Sequence, residues 1–131
     1  MTLGDVQYYA KSIKHFRGVF MRDALPDKSN HTECGVINLD SILNRGTHWT
    51  AYFKRGDRAV YFDSYGSANP PLELVKYLNV KHLQYNTDSI QTSEDAPICG
   101  HLCLEFLRLI KKNNWKYISR IIKDNVLTSW I

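Results

Sequence analysis

Residues 99–110 form a stretch in which apolar side chains fall on most sides of a helix. Those side chains are Leu102, Cys103, Phe106, Leu107, Leu109 and Ile110. A helix that is apolar around most of its circumference belongs in the interior of a domain. We therefore expect a buried helix that begins at Cys99, with the other elements packed around it.

The rest of the chain predicts one α+β domain over residues 1–131, a usual length for a single hydrophobic core. The strands predicted from apolar and β-branched content are 35–39, 49–53, 59–62 and 80–85. The second and third of these predict a hairpin across residues 54–58. The further predicted elements are helices at 5–14, 70–78 and 115–122 and polar loops at 23–33 and 86–97. The expected architecture is a short mixed or antiparallel sheet packed around the helix that starts at Cys99.

Cysteine content and apolar runs bear on where such a protein works. The chain has three cysteines, an odd number, and residues 1–10 contain no apolar stretch suited to a signal peptide. We expect free thiols in a soluble, intracellular protein, because disulfide frameworks belong to exported chains. No run of about 18 apolar residues is present to cross a bilayer, so no membrane association is expected.

The net charge of +4 is unevenly distributed. Basic residues recur at every fourth position at Arg108, Lys112, Lys116 and Arg120. Such a stripe permits weak nucleic acid binding. The alternative is a solvated helix face, which the four-residue spacing favours.

Cys99 stands at the predicted start of a helix, where backbone amides favour a thiolate. The helix terminus supplies only about 0.3 to 2 kcal/mol, roughly one pKa unit. Activating a thiol fully takes roughly 5 kcal/mol, so a neighbouring imidazolium must supply most of the stabilisation. A nucleophilic Cys99 therefore requires a histidine partner.

His48 is the histidine best placed for that role. It follows the flexible pair Gly46-Thr47 and opens a predicted strand, so its ring can face a cleft while the strand is anchored in the core. Asp63 ends the strand that the hairpin lays beside it and can orient the imidazole. Asp63 can equally be a turn residue, and a lone histidine at a strand start is more often structural.

An acyl-transfer site also needs donors for a developing oxyanion. Gln91 precedes Cys99 in the polar loop and can supply a side-chain amide beside the backbone N–H of Cys99. A solvent-exposed glutamine is the alternative interpretation of that residue.

Taken in order, these pieces resemble a protease family. The matching residues are Gly46-Thr47-His48-Trp49, Tyr61-Phe62-Asp63-Ser64-Tyr65-Gly66, Gln91, Ala96-Pro97-Ile98-Cys99-Gly100 and Cys103. Their order resembles the adenovirus-protease (adenain) family and, more distantly, the SUMO and ubiquitin-like proteases. Segment 16–21 also resembles the upstream segment of versions encoded by large DNA viruses and virus-like transposons.

The resemblance implies a papain-like or adenain-like cysteine endopeptidase that cleaves after Gly in viral-type precursor processing, in a host cell or a virion. It implies His48 as base, Asp63 as orienting acid, Gln91 as oxyanion donor and Cys99 as nucleophile. Trp49 and Gly100 are implied as substrate contacts, and no metal or small-molecule cofactor is implied. Adenain itself uses DNA and a viral peptide as activators; the basic stripe permits the first.

Three alternatives remain open. One is a deubiquitinating or deSUMOylating isopeptidase, which the same residues would serve. Another is a structural zinc site, since His31 and Cys34 with Cys99 and Cys103 supply suitable ligand types. The third is a non-catalytic relative that only binds a peptide or nucleic acid.

Overall fold

The computed structural model of the chain describes residues 3–39, 48–63, 69–86 and 99–111. The helices within these ranges are α1 Leu3–Ala10, α2 Leu72–Leu78 and α3 Cys99–Lys111. The strands are β1 Phe16–Met21, β2 Thr32–Asn38, β3 Trp49–Arg55, β4 Arg58–Phe62 and β5 His82–Tyr85. None of these helices is long and apolar enough to span a membrane. The helix predicted at 115–122 lies outside the described residues.

The five strands form one mixed sheet in the order β1-β2-β3-β4-β5. The three central strands are antiparallel neighbours, and each edge strand runs parallel to the strand beside it. The predicted α+β class and the predicted hairpin are therefore confirmed. The hairpin turn is shorter than predicted, because Arg55 pairs with Arg58 and Gly56 turns the chain at φ 60°, a left-handed conformation that glycine adopts without strain.

Successive side chains of a strand point to opposite faces of the sheet, and here both faces carry apolar side chains. Helices cover both faces. On β3, Trp49, Ala51 and Phe53 join the core beneath α1 and α3, whereas Tyr52 joins the core beneath α2. The central strands are buried on both faces. Their ends are therefore fixed from two sides, which matters for any residue placed at an end.

Helix α3 begins at Cys99, as predicted, but it is not apolar on most sides. His101 and Glu105 are exposed and Arg108 is half-buried, so three polar residues form a stripe on the solvent side. The opposite side packs into the core through a set of buried residues: Cys103, Leu104, Phe106, Leu107 and Ile110. The expectation of a fully buried helix was therefore wrong; α3 is amphipathic and lies on one face of the sheet.

Two features of the N-terminal half were not predicted. Residues 16–21 form an edge strand, and β2 begins inside the segment predicted as the loop 23–33. The reason is Glu33, which is fully buried within β2. Its carboxylate accepts hydrogen bonds from the Tyr52 hydroxyl, the Tyr77 hydroxyl, the Asn30 backbone N–H and the Arg17 guanidinium. Because a polar residue can be buried when it is fully hydrogen-bonded, the strand extends through it.

Candidate active site

His48 and Asp63 meet at one end of the sheet. His48 immediately precedes β3, and Asp63 immediately follows β4, its antiparallel neighbour. His48 Nε2 lies 2.7 Å from Asp63 Oδ1, and the two side chains are 19% and 1% exposed. The hairpin thus brings together the base and the acid predicted from the sequence, with the imidazole reaching solvent and the carboxylate enclosed.

The position of this bond on the ring fixes the chemistry open to His48. An ionised carboxylate only accepts hydrogen bonds, so Nε2 carries the proton that is donated to Asp63. In the neutral ring, Nδ1 is then the basic nitrogen. Of the two ring nitrogens, Nδ1 is therefore the one that could exchange a proton with another group, and a carboxylate at this distance favours the protonated ring.

The strand end that carries His48 is held by backbone and core contacts. The His48 carbonyl accepts a hydrogen bond from the Leu39 N–H at 3.0 Å, just beyond the β2–β3 ladder. The next side chain, Trp49, is only 4% exposed and packs in the core beneath α3. Trp49 therefore anchors the strand start; its role as a wall of the substrate cleft stays a prediction.

Asp63 is held by Asn86, a residue predicted to begin the polar loop 86–97. The Asp63 N–H donates to Asn86 Oδ1 at 2.9 Å, and Asn86 Nδ2 donates to the Asp63 carbonyl at 2.5 Å. Asn86 is buried and directly follows β5. The one signal in the sequence was its position, since Asn86 directly follows the predicted strand 80–85. The pairing of that strand with β4, which leads to Asp63, is seen only in the structure.

Helix α3 lies against the strand that leads to Asp63. The ring of Phe106 stacks on that of Phe62 with centroids 4.8 Å apart, a contact worth about 0.5 to 1.5 kcal/mol beyond burial. Cys103 and Phe106 are one turn apart and both are buried on the side of α3 that faces the sheet. The helix begins one turn before Cys103, at Cys99.

Burial raises the pKa of the Tyr61 hydroxyl above its ordinary range, and the charge of Asp63 raises it further. Cys103 lies in the second turn of α3 and is fully buried. Cys99 is one helical turn before Cys103, about 6 Å along the axis.

The other two cysteines are poorly suited to nucleophilic chemistry. Cys34 and Cys103 are both buried free thiols. Burial, with a smaller contribution from the charge of Glu33, raises the pKa of Cys34 to about 12, and its thiol donates to the Lys14 carbonyl at 3.6 Å. Thiolate is the reactive form, so Cys34 is inert at neutral pH.

The described residues also bear on the remaining predictions. His31 is exposed whereas Cys34 is buried, and no group of three or more metal-ligating side chains occurs in the described ranges. Gly100 follows Cys99 in the first turn of α3, and its contact with substrate stays a prediction. Of the basic stripe, only Arg108 is described; Gln91, Lys112, Lys116 and Arg120 lie outside the described residues.

Comparison with known proteins adds no relative to this picture. No protein-family model matches the chain, and no curated protein matches it.

Proposed function

We propose that the chain is a cysteine endopeptidase of the adenain-like type with a papain-like arrangement of helix and sheet. Cys99 is the nucleophile, His48 the general base, Asp63 the orienting acid and Gln91 the side-chain donor to the oxyanion. The proposal rests chiefly on the bond between His48 Nε2 and Asp63 Oδ1, 2.7 Å long.

That bond supports a catalytic interpretation over a purely structural one. A buried carboxylate beside a solvent-reaching imidazole stabilises the protonated ring, which is the partner a thiolate needs. The second support is α3, which begins at Cys99 and packs on the strand leading to Asp63. A helix start adds backbone N–H groups that favour the thiolate and can donate to an oxyanion.

The proposed reaction proceeds in two steps. The Cys99 sulfur attacks the carbonyl carbon of the scissile bond, and the negative charge passes to the carbonyl oxygen, where Gln91 and the Cys99 N–H bind it. The His48 imidazolium gives its proton to the leaving amine, and the acyl group stays on sulfur as a thioester. His48 then takes a proton from the water that attacks the thioester, the C–S bond breaks, and the carboxylic acid is released while the Cys99 thiolate and the His48 imidazolium are restored.

The proposed substrate is an extended peptide cleaved after Gly, as in viral-type precursor processing. This specificity comes from the family resemblance, and the basic residues 108–120 would add nucleic acid as a weak partner. No contact among the described residues favours isopeptidase cleavage over peptide cleavage.

The test is labelling by a peptide that ends in Gly and carries a thiol-reactive group, followed by mapping of the modified cysteine. We expect Cys99 to be modified at neutral pH and hydrolysis of Gly-containing peptides to be lost in Cys99→Ala. Cys34→Ala is the matched control, since its buried thiol should contribute neither to labelling nor to turnover. If Cys34 or Cys103 reacts faster than Cys99, or if the folded protein hydrolyses no peptide, the proposal is wrong.

A further inference from the structure

Asp63 lies just beyond the last residue pair between β4 and β5. β4 ends at Phe62, and the last residue pair between β4 and β5 is Tyr61 with Tyr85. A strand end frays unless its backbone groups find partners, because each buried N–H or carbonyl left alone costs free energy. The position of the orienting carboxylate therefore depends on what replaces the ladder beyond Tyr61.

Beyond Tyr61, the side chain of Asn86 takes the place of backbone pairing. The carboxamide of Asn86 accepts from the Asp63 N–H and donates to the Asp63 carbonyl, so it binds both polar backbone groups of one residue. Asn86 follows Tyr85 directly, and it is as deeply buried as Asp63, each being 1% exposed. The amide thus acts as one more peptide unit of β5 and extends the pairing to Asp63.

Few residue types can make this pair of bonds. The position needs one donor and one acceptor at the spacing of a carboxamide, which asparagine supplies. Aspartate keeps the acceptor but places a second oxygen against the Asp63 carbonyl. Alanine offers neither group. The requirement makes Asn86 specific in chemistry as well as in size.

Orientation of an imidazole tolerates little error, since displacement of a catalytic group by about 1 Å can cost about 10²-fold in rate. The carboxylate reaches His48 from a backbone that Asn86 holds at both ends of the residue, N–H and carbonyl. We infer that Asn86 is a positioning residue: by binding the Asp63 backbone, it holds the carboxylate in register with His48. This inference deepens the proposed function and rests on it for its effect on turnover.

The first measurement does not depend on proteolysis. A histidine N–H bonded to a buried carboxylate gives a distinct, slowly exchanging proton resonance in NMR, assigned here by its loss in His48→Ala. We expect this resonance in the wild-type protein and in Tyr77→Phe, a control altered at the other end of the sheet. In Asn86→Ala it should be lost or broadened by exchange. Persistence of an unchanged resonance in folded Asn86→Ala would overturn the inference.

The second measurement separates positioning from stability. Asn86→Ala should lower kcat by roughly 10- to 100-fold with little change in KM, by analogy with other residues that orient catalytic groups. In an Asp63→Ala background, Asn86→Ala should cost almost no further activity yet still lower the melting temperature, because its backbone bonds persist there. Fully additive losses of activity in the double variant would contradict the inference.

A second variant and a comparison of the resonance with peptide hydrolysis separate the possible outcomes. Asn86→Asp fills the same volume, so it replaces Asn86→Ala if that variant does not fold, and it should weaken the His48 resonance for the same reason. A fall in kcat with an intact resonance would overturn the positioning role. A wild-type protein that shows the resonance, loses it in Asn86→Ala and yet hydrolyses no peptide would refute the proposed function while upholding the role of Asn86.

Discussion

The sheet holds two buried carboxylates, Glu33 and Asp63, at opposite ends, and their surroundings differ. Glu33 lies near the start of β2, opposite Lys54 near the end of β3, whereas Asp63 lies beside the start of β3. Both are almost fully enclosed, at 0% and 1% exposure. The difference lies in what each carboxylate is bonded to.

Glu33 is surrounded by groups that keep their protonation state at neutral pH. The Tyr52 and Tyr77 hydroxyls donate to one oxygen, and the Asn30 N–H and Arg17 donate to the other. Burial raises the pKa of both tyrosines, so they stay protonated donors. Such a network fixes β2, β3, α2 and the preceding loop, and it offers no group that exchanges protons near pH 7.

Asp63 is bonded instead to the one side-chain type that titrates near neutrality, and that imidazole reaches solvent. A carboxylate that only stabilised the fold would have no need of a titratable, solvent-reaching partner. The comparison teaches that two equally buried carboxylates can differ in their partners, and that the surroundings of Asp63 are those that the proposed function requires. Variants at the two ends should therefore separate stability from activity.

The largest expected effect is on activity at the Asp63 end. His48→Ala should lower kcat/KM by about 10⁴-fold or more, because it removes the proton acceptor and the cation that stabilises the thiolate. Its melting temperature should fall only modestly: the enclosed Asp63 carboxylate loses a donor, but the His48 side chain is partly exposed and lies outside the core clusters. Peptide hydrolysis and thermal unfolding, measured on the same sample, test the expected changes in kcat/KM and in melting temperature. Near wild-type turnover, or an unchanged pH profile of Cys99 alkylation, would break the assignment.

The next effect is on stability at the other end. Glu33→Ala leaves two buried hydroxyls and a guanidinium without their acceptor, and we expect unfolding to become easier by about 3 kcal/mol. The value is at the low end for a broken buried network because Arg17 can reach solvent. Denaturant unfolding measures it. The folded fraction should keep wild-type kcat, and a selective loss of kcat would show that the two ends are coupled.

The same residue predicts how stability depends on pH. Burial raises the pKa of Glu33, but hydrogen bonds from Tyr52, Tyr77, the Asn30 backbone and Arg17 together lower it below its ordinary range. A folded-state pKa below the unfolded value means that the folded chain binds the proton less readily. The contribution is thus fully present above about pH 5 and is lost as the pH falls through the folded pKa. Glu33→Gln should flatten this acid limb; an identical limb in the variant would refute the link.

The sequence predicted the pair at one end better than the network at the other. His48 and Asp63 were found because hairpin pairing is local: a short turn fixes which residues meet, and the motif supplied the chemistry. Glu33 was missed because its partners come from Arg17, Tyr52 and Tyr77, which are distant in sequence and carry no spacing signal. Asn86 was missed for a related reason, since a polar residue after a strand resembles a loop unless its partner is known. The polar stripe on α3 was missed because the prediction counted the apolar residues of the helix and gave no weight to His101, Glu105 and Arg108.

A smaller effect on kcat is expected from Asp63→Asn, which removes the negative charge of the side chain while keeping its size. Asparagine retains the size and can accept a hydrogen bond from the ring, but the negative charge that favours the imidazolium is gone. We expect kcat to fall about 10²-fold, less than in His48→Ala, with stability nearly unchanged because the Asn86 bonds go to the backbone. Asp63→Ala should be worse, since the ring can then rotate. If both variants keep the wild-type rate and pH profile, Asp63 is a turn residue.

The smallest expected effect is on the free energy of unfolding, in a variant that removes one hydrogen bond to Glu33. Tyr77→Phe removes one donor to the carboxylate while the ring can keep its edge-on contact with Tyr52, whose centroid is 6.3 Å away. Since the Tyr52, Asn30 and Arg17 bonds to Glu33 remain, the loss should be about 1.5 kcal/mol, the low end for one hydrogen bond to a charged group. Denaturant unfolding of Tyr77→Phe, Glu33→Ala and the double variant measures the coupling. The double variant should be little less stable than Glu33→Ala alone, because the hydroxyl acts through Glu33. Additive losses would mean that Tyr77 stabilises α2 by its own contacts, and that the Glu33 network is weaker than its four bonds suggest.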